Sequence, residues 1–147
     1  RGTAVEEADA GHDVGAEEGS GLVMLIEDDV SVANAWGHLL EAEGYRVATA
    51  ASATEARALI NHIEDVPTLI ISDFHLLDGS TGVEAVSEIR EYYDQNIPAF
   101  IVTGDTSKVV KDAHPVANST LINKPVNTAR LLAAAKVATR TGEVPAD

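Results

Sequence analysis

Acidic, hydroxyl and ammonium side chains follow four short apolar runs of this chain, each at the point where the run ends. The residues at these positions are Glu27, Asp28, Asp73, Thr103 and Lys124. Short apolar runs bounded by turn signals are typical of buried strands, and the carboxyl ends of parallel strands meet at the sheet edge where ligands bind. Three carboxylates that converge there repel one another unless protons or a cation lie between them. Since Mg²⁺ prefers such oxygen ligands, the residue types predict a magnesium site.

The same residue types can carry out phosphoryl transfer. The carboxylate of Asp73 can attack phosphorus and form an aspartyl phosphate. Charge that develops on the phosphoryl oxygens is stabilised by cations and donors already in place, and Lys124 and the Thr103 hydroxyl can meet that need. Taken singly, Asp73 could cap a helix, Thr103 could end a strand and Lys124 could be a solvated charge. Their joint occurrence at separate strand ends favours phosphoryl transfer.

Composition excludes several classes of protein. The chain has 147 residues and a formal net charge of −14, which argues against direct nucleic-acid binding because phosphate backbones select clustered Lys and Arg. No apolar run approaches the roughly 20 residues of a membrane-spanning helix, and no export signal is visible. Cysteine is absent and the five histidines lack zinc-ligand spacing. We expect a cytoplasmic domain without membrane contact of its own, whether or not the parent chain is membrane-anchored.

Three stretches of different character divide the chain. Residues 1–20, rich in Gly, Ala, Glu and Asp, predict a flexible acidic linker or tail. Residues 21–140 predict one folded domain, and residues 141–147 a flexible end. Because the chain begins with Arg1 rather than Met, we expect a piece of a longer protein or a chain whose start has been removed.

Strand and helix patterns alternate through the folded part and predict an α/β, doubly wound three-layer (βα)5 sandwich. The predicted strands lie at 22–26, 46–50, 68–72, 99–102 and 120–123. The mixed 46–50 strand is predicted near an edge of the sheet. Helices are predicted at about 30–43, 107–113 and 127–138, and two more open at the capping boxes Ser52–Glu55 and Thr81–Glu84. The predicted buried face of the first helix consists of Val32, Trp36, Leu39 and Leu40.

The sequence resembles the receiver domains of two-component response regulators over about residues 22–138. The matching stretches are Leu25–Asp29, Ile71–Asp73, Val102–Gly104 and Asn123–Pro125. The resemblance implies a flavodoxin-like fold with parallel strand order 2-1-3-4-5. It also implies that Asp73 is the phosphoacceptor, loaded from a phosphohistidine on a histidine kinase or a histidine phosphotransfer protein. Such a domain promotes only its own phosphorylation and dephosphorylation.

The resemblance also implies a role for each of the other site residues. Asp28 and Asp73 would bind Mg²⁺ directly, Glu27 would act mainly through water, and the backbone carbonyl of His75 would be another ligand. Thr103 and Lys124 would take the phosphoryl oxygens.

Further implied features lie next to these residues. The family has a cis peptide bond at the position of Lys124–Pro125. His75, Gly104 and Asp105 flank the site, and we expect His75 and Asp105 to tune the lifetime of the aspartyl phosphate because attacking water would pass them.

Two positions depart from the usual pattern of the family. Leu77 stands where many receivers have proline, and Leu121 stands at the switch position where many have Tyr or Phe. The aromatic side chain usually reports phosphorylation by turning inward as the Thr moves. The phosphorylation residues are therefore all present while the usual aromatic readout is missing.

Several biological contexts fit these features. The leading interpretation is the C-terminal receiver of a hybrid sensor histidine kinase, because the acidic segment precedes the domain and the Asp73–Leu76 stretch resembles that group. A free-standing single-domain response regulator is the alternative. A small aspartate-nucleophile phosphatase is disfavoured because His75 stands where those enzymes usually have a second Asp, and a non-phosphorylated binding module is disfavoured because no site acid is lost. The expected partners also include a second copy in a weak homodimer.

Overall fold

The computed structural model describes residues 21–105, 107–113 and 116–145, in which strands and helices alternate. The elements in chain order are β1 (Leu22–Ile26), α1 (Val30–Ala42), β2 (Arg46–Ala50), α2 (Ala53–Ile60), β3 (Leu69–Asp73), α3 (Gly82–Tyr93), β4 (Ala99–Thr103), α4 (Lys108–Ala113), β5 (Ser119–Asn123) and α5 (Thr128–Thr141). The predicted tail at residues 1–20 lies outside the described residues. None of the helices within the described ranges is long and apolar enough to cross a membrane.

The five strands form one parallel sheet in the order β2-β1-β3-β4-β5. This confirms the predicted strand order and the edge position of the second strand. The three inner strands, β1, β3 and β4, are buried along almost their whole length, as expected for strands covered on both faces.

Helices cover both faces of the sheet and create two cores. Alternate residues of β1 divide between them: Met24 and Ile26 face α2, α3 and α4, whereas Val23 and Leu25 face α1 and α5. The predicted doubly wound three-layer sandwich is therefore confirmed. Each connection between consecutive strands runs through a helix, from the carboxyl end of one strand to the amino end of the next.

The buried face of α1 differs from the predicted one. The helix buries Ala33, Gly37 and Leu40, whereas Val32 and Leu39 are 37% and 38% exposed. Leu40 is buried as predicted, and Trp36 is partly buried against the core. For Val32 and Leu39 the prediction was wrong, because their row has the same spacing as the buried row and carries the larger side chains. The smaller row faces the sheet, and the larger side chains flank it.

The capping boxes are realised to different degrees. The Thr81 side chain accepts the Glu84 N–H and the Glu84 side chain accepts the Thr81 N–H, so the box that opens α3 is complete. At the start of α2, Ser52 accepts the Glu55 N–H, but the Glu55 carboxylate accepts the N–H of Ala51. The predicted box at the start of α2 is therefore only half formed.

Helix α5 continues three residues beyond its predicted end and is capped by Gly142 at φ 81°. After the cap, the N–H of Val144 donates to Asn118 Oδ1 at 2.9 Å, and the Val144 side chain packs against the core beneath α1 and α5. These contacts do not measure motion, so the predicted flexibility of residues 141–147 stays a prediction.

Candidate functional site

The parallel pairing of β1 and β3 brings the three predicted acids together. Ile26 pairs with Ser72, so Glu27 and Asp28, which follow β1, lie beside Asp73 at the end of β3. One carboxylate oxygen from each of these acids lies within 4.8 Å of the others. The sheet therefore places all three carboxylates in one small region at its carboxyl edge.

Glu27 is the acid whose surroundings are least favourable to charge. It is 9% exposed, and this burial, with a smaller contribution from the neighbouring Asp73 and Asp28, raises its pKa from 4.5 to about 7. The N–H of Asp29 donates to Glu27 Oε2 at 3.0 Å and opposes the shift. Near neutral pH, the site therefore calls for a proton or a cation among the carboxylates.

The acidic cluster fits a magnesium ion. Mg²⁺ is a hard cation that binds carboxylate oxygens while it keeps several waters, and Glu27, Asp28 and Asp73 each offer one oxygen to a common centre. The pKa of Glu27 is raised chiefly by burial, with a smaller contribution from the carboxylates of Asp73 and Asp28, so a nearby cation would offset an unfavourable charge. These three residues could hold the ion.

Lys124 approaches the cluster from the other side of Asp73. It directly follows β5, and its Nζ lies 3.3 Å from Asp73 Oδ1. The N–H of Lys124 donates to the carbonyl oxygen of Thr103, which fixes the end of β5 to the end of β4. The peptide bond between Lys124 and Pro125 is cis, as the resemblance implies.

Thr103 ends β4 and is buried, with 3% exposure. Its Oγ1 accepts the N–H of Asp105 at 2.9 Å. The carboxylate of Asp105 makes two further contacts: Oδ2 accepts from His75 Nε2 and Oδ1 accepts from the N–H of Ser107, each at 2.8 Å. The His75 contact is the largest cause that lowers the pKa of Asp105. The loops after β3 and β4 are therefore joined beside the site.

The structure also reveals neighbours of Asp73 that the sequence reasoning missed. The Ser72 hydroxyl donates to the carbonyl oxygen of Asp73 at 2.8 Å. A Cβ on Gly82, the first residue of α3, would collide with that same carbonyl oxygen. The glycine directly after the capping residue Thr81 is the signal that could have indicated this close approach.

An apolar groove of about 410 Å³ opens onto the same residues. Its polar end contains Glu27, Asp73 and Lys124, and its apolar wall is formed by α1 and α5. Val32 and Trp36 of α1 belong to this wall, and Trp36 also packs against the core on the α1 and α5 side of the sheet.

Comparison with known proteins identifies the family of this arrangement. Residues 23–136 match the model of the response regulator receiver domain. The transcriptional regulatory protein YvrH of Bacillus subtilis is 33% identical over 115 residues, which cover 76% of this chain and 46% of YvrH. The phyllosphere-induced regulator PhyR of Methylorubrum extorquens is 28% identical over 126 residues, covering 85% of this chain and 45% of PhyR. The chain thus spans less than half the length of these curated relatives.

Solved structures show the same fold. The receiver domain of the Erythrobacter litoralis response regulator PhyR superposes with a TM-score of 0.72 at 26% identity, covering 88% of this chain and 97% of that domain. The chemotaxis protein CheY4 of Vibrio cholerae gives a TM-score of 0.69 at 28% identity, covering 81% of this chain and 98% of CheY4. Because the family model spans most of the folded part and the strand order agrees, the chain belongs to the response regulator receiver domain family.

Proposed function

We propose that this receiver takes a phosphoryl group from a phosphohistidine onto Asp73 and thereby changes a protein-binding surface. The observation that supports this most strongly is the surroundings of Asp73. One of its oxygens lies 3.3 Å from the Lys124 ammonium, and the carboxylates of Glu27 and Asp28 lie on its other side. This arrangement combines a nucleophile, a fixed positive charge and a cation site in one place.

In the proposed reaction, a carboxylate oxygen of Asp73 forms a bond to phosphorus while the nitrogen–phosphorus bond of the phosphohistidine breaks. The imidazole nitrogen keeps the electron pair of that bond and takes up a proton. Lys124 is already placed to stabilise the charge on the phosphoryl oxygens. The buried hydroxyl of Thr103 is the proposed donor to another of these oxygens.

The proposed cofactor is Mg²⁺, bound by Asp28, Asp73 and the backbone carbonyl of His75, with Glu27 acting mainly through water. When bound, the ion neutralises charge on the phosphoryl oxygens and on the acidic residues. Glu27 supports the assignment because the pKa of its carboxyl group is about 7. At neutral pH it can therefore lose its proton at little cost when a cation binds nearby.

Three residues are proposed to modulate the site and one to sense its state. The side chains of His75 and Asp105 are joined by a hydrogen bond between the loops that follow β3 and β4, and Gly104 leaves the space next to the Lys124 side chain open. They would set the access of water to the aspartyl phosphate. Leu121 of β5 is half-buried against the core on the α4 side of the sheet, so a change at the switch position would involve packing without an aromatic ring.

The apolar groove supports a protein as the phosphodonor. A small donor needs only the charged end of the groove, whereas the wall formed by Val32, Trp36 and Leu39 offers apolar contact area to a partner. The partner that fits is the histidine-bearing domain of a kinase or a histidine phosphotransfer protein. We propose no direct contact of this domain with nucleic acid, and the predicted cytoplasmic location stays a prediction.

Two parent proteins are consistent with this function. The sequence features favour a hybrid sensor histidine kinase. The relatives YvrH and PhyR, which are named as regulators, favour a response regulator that is separate from its kinase. The coding sequence upstream of Arg1 distinguishes them, because a hybrid kinase would encode a histidine-phosphorylating catalytic domain there.

The proposed function is tested by intact-protein mass spectrometry after incubation with Mg²⁺ and acetyl phosphate. We expect the mass of one phosphoryl group to be added to the wild type and to Asp112→Asn, a matched substitution at an exposed position of α4. The adduct should be absent from Asp73→Asn and should not form in EDTA. An unchanged wild-type mass, or an adduct that persists in Asp73→Asn, contradicts the proposal.

A further inference from the structure

We infer that the hydrogen bond between His75 and Asp105 is a latch that holds the loop before α4 in its unphosphorylated arrangement and releases when Thr103 turns to the phosphoryl group. Asp105 is then a positioning residue for Thr103 and for α4. This inference rests on the proposed function and concerns how the phosphorylated site would signal its state.

The latch joins two loops that belong to neighbouring strands. His75 lies two residues after Asp73, in the loop between β3 and α3, and Asp105 lies two residues after Thr103, in the loop between β4 and α4. His75 Nε2 donates to Asp105 Oδ2 at 2.8 Å. A movement of either loop relative to the other at the carboxyl edge of the sheet must therefore stretch this bond.

Asp105 connects the latch to the start of α4. Its other carboxylate oxygen accepts the N–H of Ser107 at 2.8 Å, directly before the first helical residue, Lys108. An Asp carboxylate that accepts the N–H two residues further on forms a local turn, and this turn leads into the helix. The same side chain thus binds His75 with one oxygen and the beginning of α4 with the other.

Asp105 also determines where the Thr103 hydroxyl points. Thr103 Oγ1 accepts the Asp105 N–H at 2.9 Å and lies 3.5 Å from the Asp105 carbonyl oxygen, so the hydroxyl is turned into its own loop. To donate to a phosphoryl oxygen on Asp73, the hydroxyl hydrogen must turn away from the Asp105 carbonyl oxygen, and in the proposed release the Thr103 oxygen also gives up the Asp105 N–H. Asp105 then loses a contact that fixes its backbone, and the latch is strained.

Helix α4 is suited to respond to such a change. It has six residues, of which Val110 is buried, whereas Val109 is 73% exposed. A helix with so few buried apolar side chains has low local stability and moves readily when its entry loop changes. Since Leu121 lacks an aromatic ring, release of the latch gives this chain a readout that needs none.

The test compares wild type with His75→Ala, Asp105→Ser and the double variant. Ser at position 105 keeps a short oxygen for the Ser107 N–H but cannot reach His75. Beryllofluoride, a tetrahedral mimic of a phosphoryl group, is titrated with saturating Mg²⁺ at one fixed pH, and the Val110 amide is followed by NMR. Because the two latch side chains are 62% and 36% exposed, the bond contributes only modestly. We expect each single variant to lower the half-saturating beryllofluoride concentration about two- to fivefold.

The double variant is the decisive member of the set. If the two side chains act through one bond, the double variant should respond like either single variant. Without metal or beryllofluoride, amide hydrogen exchange of residues 108–113 should also be faster in all three variants than in wild type. As a control, Asp112→Ala breaks the exposed Lys108–Asp112 pair within α4 and should leave the half-saturating concentration unchanged.

Three results would overturn the inference. The first is a half-saturating beryllofluoride concentration of the single variants that equals that of wild type, and the second is a higher one. The third is a double variant in which the two single effects add. Each result would show that no latch holds the unphosphorylated state. These results leave the proposed function intact as long as wild type responds to beryllofluoride. A wild type that gives no response at all overturns the proposed function and the latch together.

Discussion

Replacement of Glu27 by glutamine should stabilise the metal-free protein, and more strongly at high pH than at low pH. The pKa of Glu27 is raised from 4.5 to about 7, chiefly by burial. Between these two values the folded state holds a proton that the unfolded state has released, so the wild-type free energy of unfolding falls as the pH rises. The contribution of Glu27 is fully present below about pH 4.5 and lost through about pH 7. Glutamine keeps the shape of the side chain and removes this pH dependence.

The size of the effect follows from the shift. A change in pKa from 4.5 to about 7 corresponds to about 3 kcal/mol between the two protonation states. Glu27 is 9% exposed, so solvent screening reduces this value little. The glutamine variant should be more stable than wild type by about 1 kcal/mol at pH 5 and about 3 kcal/mol at pH 8.

Urea unfolding in EDTA at these two pH values measures the difference. Glu91→Gln, at an exposed position of α3, is the matched control and should shift stability equally at both pH values. The same stability difference between wild type and Glu27→Gln at both pH values would show that burial does not destabilise the charged form of Glu27, and the raised pKa would be refuted.

Three further predictions concern the metal, two glycines and Asn118. Mg²⁺ binding to wild type should strengthen from pH 6 to pH 8. It should release a proton at pH 6, where Glu27 with its pKa of about 7 is mostly protonated, and little at pH 8. Calorimetry in buffers of different ionisation enthalpy measures this release, which should be absent in Glu27→Gln. Gly82→Ala should lower the free energy of unfolding by about 1–3 kcal/mol because the new Cβ meets the Asp73 carbonyl oxygen. Gly37→Ala, whose Cβ meets open space, should raise the free energy of unfolding by about 0.5–1 kcal/mol. Equal effects of the two substitutions in urea unfolding would contradict this prediction. Asn118→Gly keeps the positive φ of 55° but removes three side-chain hydrogen bonds and should cost about 1–3 kcal/mol, with no loss in urea unfolding as the contrary result.

The sheet and the site acids could be predicted because few arrangements satisfy the sequence. Continuous apolar runs require cover on both faces and predict a doubly wound parallel sheet, and the resemblance to receiver domains implied the order of its strands. Glu27, Asp28 and Asp73 meet because β1 and β3 are neighbours, and Lys124 reaches Asp73 from the end of β5. Strand-end residues are thus placed by topology alone.

Features that depend on side-chain direction could not be predicted. The row Val32, Trp36 and Leu39 has the same spacing as the buried row of α1, so periodicity could not distinguish them. The bond between His75 and Asp105 joins residues 30 positions apart, and its formation depends on loop conformations that neither strand pattern specifies. Asn118, at a positive φ, likewise bonds to Gly142 and Val144 after α5 and to Asn96 before β4, and only the folded structure brings these residues together.

The proposed function depends above all on phosphorylation at Asp73, and the most direct measurement is to locate the phosphoryl group chemically. Borohydride reduces an acyl phosphate to an alcohol, so an aspartyl phosphate is recovered as homoserine. After incubation with Mg²⁺ and a histidine-phosphorylated donor domain, reduction and peptide sequencing by mass spectrometry should find homoserine at position 73. Homoserine at another position would contradict the proposed function. So would an Asp73 that stays unmodified with the donor domains of several kinases and with acetyl phosphate.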